Sequence, residues 1–249
     1  AQDLKGHLPM ITPMKLGNGQ KELGLDGRQD LAQFMGAIGH RNRAQDRAHP
    51  RAGEKGEHPL DEVWQLHRHA EFVPLVQKVS EQATHYLEAV GFDCSQAALH
   101  LQRCWPVLSD WDQLVGRHHH PNAHLSAVVY LNGDGSGRSG CLRLFPPQHC
   151  NELVPGLAVG HGGPIDESSS GGQLWNAPWV DVAPQAGLLV LFPARTDHAV
   201  TPNNDSDDLR LSLAFDLALT APLASADDPA PPEYLAPHPA QWSEVPGPA

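Results

Sequence analysis

The sequence predicts a mainly β fold with supporting helices (α+β), a double-sheet jelly roll, on three observations. Apolar residues in the N-terminal third recur at the helical period. Those in the middle recur at period two, and Gly, Pro, Asn and Asp cluster between the period-two runs. Strands that follow helices in this way fit two packed sheets braced on one side by helix.

Each element has its own signal. From Leu66 onward, Ala70, Val73, Val76, Val79, Ala83, Leu87 and Val90 lie three or four residues apart, which marks an amphipathic helix with one buried face. Gly91 stops it, and Pro74 sets its start nearby, because proline fits a first turn but not an interior. An earlier helix is expected over Gly27 to Gly39, and a charged, Gly- and Pro-rich loop over 44–59. Five short runs then read as strands: 98–105, 125–132, 141–145, 187–193 and 210–219. NGDGSGRSG (132–140) and PNNDSDD (202–208) carry hairpin-like turn chemistry.

Residues 146–183 form a long Gly- and Ser-rich connection between two core strands. Such a length suits a lid, with Trp175, Asn176 and Trp179 as expected substrate contacts, or else a mobile insertion that its aromatic residues anchor. Trp105 and Phe145 read as core. The tail after Thr220, dense in Pro, Ala and Asp, is expected to wrap the surface without a fold of its own. The organisation is one domain over 1–249: a helical and loop support over 1–97, a β core over 98–219 and a Pro-rich tail over 220–249.

Composition excludes several classes of function. Twenty-nine acidic residues against seventeen Lys and Arg give a formal charge of -12, which repels phosphate backbones and anionic lipid, so nucleic acid is not an expected partner. No apolar run is long enough to span a bilayer. The opening AQDLKGHLPM lacks the basic-then-apolar layout of a signal peptide, so the expected location is cytoplasmic. Cys94, Cys104, Cys141 and Cys150 show no CxxC spacing and read as reduced thiols, not zinc ligands. Nothing in the sequence fixes the oligomeric state.

The chemistry concentrates in GRHHHPNAHLSAVVYLNG (116–133), which holds four histidines within seven residues. Alternation along an extended strand would put His118 and His120 on one face, together with His124, Ser126, Val128 and Tyr130, provided that Pro121 adds no bulge. Two imidazoles at i and i+2 make half of a site for iron, zinc or copper. The expected third ligand is His198, which follows the buried strand GLLVLFP. Among sixteen histidines, a solvated or pH-sensitive patch is the plain alternative. Twelve residues beyond His198, Arg210 opens the last strand and shares a face with Ser212 and Ala214. An inward arginine needs an anion, and its parallel N–H donors match a carboxylate, with Ser212 able to add a hydroxyl.

In order along the chain, HxHPxxxxSxVxYL (118–131), GCLRLF (140–145), PQAGLLVLFP (184–193), HAVTP (198–202) and RLS (210–212) resemble a bacterial branch of the 2-oxoglutarate and Fe(II)-dependent oxygenases. The resemblance covers roughly 98–219. It implies a double-stranded β-helix (a cupin-like jelly roll) holding Fe(II) and using 2-oxoglutarate and O2. It also implies hydroxylation of an unactivated C–H bond in a small molecule, amino acid or peptide, with release of succinate and CO2. On this resemblance His118, His120 and His198 hold the metal, while Arg210, Ser212 and Tyr130 bind the cosubstrate.

The chain departs from the superfamily's usual two histidines and one carboxylate, because His120 stands at the carboxylate position. His120 is therefore either a ligand or a residue orienting its neighbours. In the second case a carboxylate such as Asp197 or Asp112 completes the set, or His124 takes the place of His120. Two rival functions are a cupin-like three-histidine metalloenzyme that does not use 2-oxoglutarate, and a non-catalytic β-roll binding module.

Overall fold

The computed structural model describes residues 10–13, 64–145, 177–207, 209–223 and 234–245. The expected helix over 27–39, the loop over 44–59, Cys150, Trp175 and Asn176 lie outside these residues.

Helix α1 (Val73–Ala89) carries Pro74 in its first turn and buries Leu75, Val79, Ala83, Tyr86 and Leu87 along one stripe. Gly91 ends it by taking φ +95°, which lets the Phe92 N–H reach the Leu87 carbonyl at 2.9 Å. Among the described residues nine strands accompany the helix: β1 (Met10–Pro13), β2 (Ala98–Ser109), β3 (Val115–His118), β4 (Leu125–Tyr130), β5 (Leu142–Leu144), β6 (Val180–Val182), β7 (Leu188–Pro193), β8 (His198–Val200) and β9 (Arg210–Thr220). They form two sheets, of order β1-β7-β4-β9-β2 and β3-β8-β5-β6, with every pairing antiparallel.

All five runs read from the sequence are strands, namely β2, β4, β5, β7 and β9. The others escaped because three or four residues are too few to display a period. One of them, β6, lies inside the stretch 146–183 expected to be loop throughout. Residues 132–140 link β4 to β5 and residues 202–208 link β8 to β9, so both cross from one sheet to the other instead of closing hairpins. Turn chemistry sets a local reversal and leaves the choice of strand partner to packing. From β2 to β9 the chain thus passes repeatedly between two facing sheets, which is a double-stranded β-helix.

Alternation sorts the residues of the larger sheet. Leu211, Leu213, Phe215, Leu217 and Leu219 of β9, with Leu189 and Leu191 of β7 and Ala127 and Val129 of β4, form one apolar cluster with α1. The opposite face, carrying Tyr130, Leu188, Val190 and Phe192, packs against Leu142, Leu144 and Val182 of the smaller sheet. The helix therefore covers one side of the larger sheet and leaves the other to the interior of the roll. Of the tail, Leu235 packs on the core and the Ala236 carbonyl accepts from the Ala221 N–H at 2.8 Å, while Tyr234, Trp242 and Val245 are exposed. Cys94, Cys104 and Cys141 are free thiols. Among the described residues no helix is long and apolar enough to cross a membrane.

Leu191 is fully buried between the sheet and α1. Leu191→Ala should lower unfolding stability by about 2–5 kcal/mol in urea titration while leaving the interior of the roll unchanged.

Candidate active site

A cavity of about 400 Å³ opens inside the roll, and three histidines line it. His118 ends β3 and pairs directly with His198, the first residue of β8. His120 arrives differently. The chain leaves β3 at His118, and the His120 N–H is held by the Ala194 carbonyl at 3.0 Å before β4 begins. The ring centroids lie 4.2 Å (His118 to His198), 5.3 Å (His118 to His120) and 5.0 Å (His120 to His198) apart. One possible ligand nitrogen from each ring lies within 4.8 Å of the others.

The expected continuous alternation from His118 to Tyr130 is thus broken, because residues 119–124 form a link between the sheets with a turn at Pro121 and Asn122. His124 falls outside the cluster, and its Nδ1 accepts the Leu219 N–H at 3.0 Å. Asp197 is also elsewhere, bound on the surface by Arg117 at 2.9 Å and His119 at 3.1 Å. Asp112 occupies an exposed turn at φ +60°.

Hydrogen bonding decides which nitrogen each ring can offer. Nδ1 of His118 lies 2.8 Å from the Gly116 carbonyl, Nδ1 of His198 lies 3.0 Å from the Thr196 carbonyl, and Nδ1 of His120 lies 2.6 Å from Asp216 Oδ1. Each acceptor requires a proton on Nδ1 and so leaves the lone pair on Nε2. Burial lowers His198 to about 4, partly opposed by the Thr196 carbonyl and reinforced by His118 and His120. At neutral pH it is an uncharged imidazole, the form a metal requires. By donor chemistry and proximity, these residues fit a divalent transition metal.

Asp216 was missed by the sequence reading, although the same alternation that aligns Arg210, Ser212 and Ala214 continues to it. It is fully buried on β9, opposite Arg103 of β2 and Ser126 of β4. Burial alone would raise its carboxyl. Hydrogen bonds from His120, Asn122 and Arg103 together hold it below the ordinary carboxylate range.

Arg210 lines the same cavity and is 1% exposed. Its Nη1 donates to the Ser139 carbonyl at 2.9 Å and its Nη2 to Ser109 Oγ, and no carboxylate among the described residues pairs with it. Burial pulls its pKa down from the ordinary value. Tyr130 and Ser212 are cross-strand partners lining the cavity beside it, and burial pushes the Tyr130 phenol up, against the pull of Arg210. Gly140, at φ +84°, makes room for the guanidinium: a Cβ there would lie 2.6 Å from Arg210 Nη1 and 2.3 Å from the Thr201 carbonyl.

Trp105 lines the cavity instead of filling the core, 5.8 Å from His120 between ring centroids. Phe145 is only half-buried, beneath the Arg117 guanidinium. Trp179 does not line the cavity and is 40% exposed. It lies under Arg143 and edge-on to Phe145. A period-two pattern tells which residues share a face, not which face encloses a cavity.

Residues 103–216 match the model of a family described as "Putative 2OG-Fe(II) oxygenase". Over these residues, a little under half of the chain, the protein is similar to the 2OG-Fe(II) oxygenases, a likeness that implies Fe(II), 2-oxoglutarate and O2. No curated protein matches the chain. Among solved structures, the epimerase SnoN in complex with Fe3+, alpha ketoglutarate and nogalamycin RO is 18% identical, with 94% of this chain and 92% of that one covered at a TM-score of 0.49. A Pseudomonas putida prolyl-4-hydroxylase is 18% identical, with 87% and 95% covered at 0.43. A 2OG-Fe(II) oxygenase family oxidoreductase from Burkholderia pseudomallei is 16% identical, with 59% and 57% covered at 0.40, so the match spans a little over half of that protein.

Gly140→Ala should displace the Arg210 guanidinium. The expected result is a stability lowered by about 1–3 kcal/mol in urea titration, the cost of overpacking a buried site.

Proposed function

We propose that this protein is an Fe(II)- and 2-oxoglutarate-dependent hydroxylase acting on a small molecule, amino acid or peptide. His118, His120 and His198 would hold the metal, and Arg210, with Ser212 and Tyr130, would bind the cosubstrate. One observation carries the reading: a buried arginine with no carboxylate partner among the described residues lines the same cavity as three convergent histidines. A buried guanidinium held only by neutral oxygens is costly unless an anion completes it. A dicarboxylic acid with one end at the metal and the other at Arg210 meets both needs.

Iron bound with 2-oxoglutarate and O2 would supply the oxidation of a substrate C–H bond, coupled to conversion of the oxoacid to succinate and CO2. The chain's own residues do the binding and orienting. Arg210 keeps three of its five N–H donors for a distal carboxylate, since Ser139 and Ser109 take only two. The Tyr130 phenol stays protonated at neutral pH and can donate to the same ligand. Val128, Phe192 and Leu142 give the cavity an apolar wall that excludes water from the bound oxoacid.

The test supplies purified protein with Fe(II), 2-oxoglutarate and O2 and measures succinate, alongside calorimetry with a redox-silent metal. Succinate should form, even without the natural substrate, at a slow uncoupled rate. Arg210→Ala should raise the KM for 2-oxoglutarate by about 10²-fold or more, the scale of a lost buried charge-assisted contact, with metal affinity intact. His198→Ala should abolish metal binding. Metal binding without oxoacid binding, and no effect of Arg210→Ala, would favour the cupin-like three-histidine alternative.

A further inference from the structure

We infer that Asp216 is a positioning residue for the metal, acting through His120, and that Arg103 and Asn122 fix its carboxylate for that task. The inference rests on reading His118, His120 and His198 as ligands. It adds a residue from a different strand and a different kind of partner.

The three rings are not held alike. His118 and His198 each have a neutral backbone carbonyl behind Nδ1, whereas His120 has a carboxylate. The Asp216 side chain is completely buried, and its two oxygens divide the work. Oδ2 accepts from Arg103 Nε at 3.0 Å, from Arg103 Nη2 and from Asn122 Nδ2 at 3.1 Å. Oδ1 is left to His120 at 2.6 Å, with Ser126 Oγ a further 3.1 Å neighbour of the same nitrogen. The carboxylate therefore cannot turn away from the ring without breaking three other bonds. Arg103 in turn lies against the contacting pair Trp64 and Trp105, its guanidinium carbon 5.3 Å from each ring centroid.

Two consequences follow for His120. Its proton is fixed on Nδ1, so Nε2 carries the lone pair. A carboxylate behind an imidazole also pushes electron density toward the opposite nitrogen, which strengthens it as a metal donor. Three neutral imidazoles bring no charge to a divalent ion. Asp216 places one negative charge a single hydrogen bond behind that shell, and Arg103 offsets it only in part because the guanidinium contacts the far oxygen. His120 is also the one member of the three outside any strand, so its ring lacks the sheet that orients His118 and His198.

A structural ion pair joining β2, β9 and the 119–124 link is the competing account, and the test separates the two. Co(II) affinity and the visible spectrum of the bound Co(II) are measured for wild type, Asp216→Asn, Arg103→Met and His198→Ala. Melting is followed for each variant, and the His120 tautomer is read from imidazole nitrogen NMR of the metal-free wild type. The inference expects Asp216→Asn, which keeps shape and removes charge, to bind Co(II) about 10–100-fold more weakly with an altered spectrum. Arg103→Met, which leaves Asp216 on His120, should lose less affinity than Asp216→Asn even if it melts lower. Wild-type affinity and spectrum in a folded Asp216→Asn, or equal losses in the two variants, overturn the inference while leaving the three-histidine reading intact. An Nε2–H tautomer of His120 in the wild type overturns it even if no variant folds. Failure of the wild type to bind Co(II), or undiminished binding by His198→Ala, overturns both.

Discussion

Strand β9 is hydrogen-bonded along both edges, to β2 and to β4, and every residue from Arg210 to Thr220 is buried. An eleven-residue strand with no solvated face must give each of its faces a separate purpose. Its odd-numbered residues meet helix α1 and supply the apolar contacts that stabilise the larger sheet. Its even-numbered residues point into the roll, where Arg210, Ser212 and Asp216 are polar yet buried. One strand thus carries much of the core and the polar side of the cavity, and a one-residue slip would exchange them.

The smaller sheet contributes through its ends. His118 closes β3 and His198 opens β8, and their direct pairing makes the distance between them a property of backbone register. His120 has no such constraint and depends on side chains, chiefly Asp216, and on the contact of its own N–H with Ala194. The site therefore combines two ligand candidates set by the sheet with one set by a buried polar network. Such networks are rigid when every member is satisfied and costly when one is removed.

Arg210 shows the opposite economy. Its neighbours satisfy two of its donors with neutral oxygens, and among the described residues the charge has no counter-ion. Asp216, some six residues along the same face, has both a cation and a hydrogen-bonded imidazole. The two ends of one strand face thus differ in electrostatic completeness: the Asp216 end is finished internally, and the Arg210 end is open to a ligand. That asymmetry gives the cavity a direction, with a buried guanidinium at one end and a cluster of imidazoles at the other.

The sequence by itself determined the local order: the helix from its three-and-four spacing, five strands from their alternation, and the partition of β9 into two faces. It also made His118, His120, His198 and Arg210 legible, because ligand-type residues stood beside recognisable strands in a family-like order. Only the tertiary structure decided which turns cross between sheets, that β3, β6 and β8 exist, and that Trp105 faces a cavity while Trp179 does not. It also decided that a buried carboxylate lies behind His120. The physical reason is common to all of these. Periodicity is a property of neighbours along the chain, whereas Asp216 meets His120 across 96 residues, through strand pairings that no local pattern encodes.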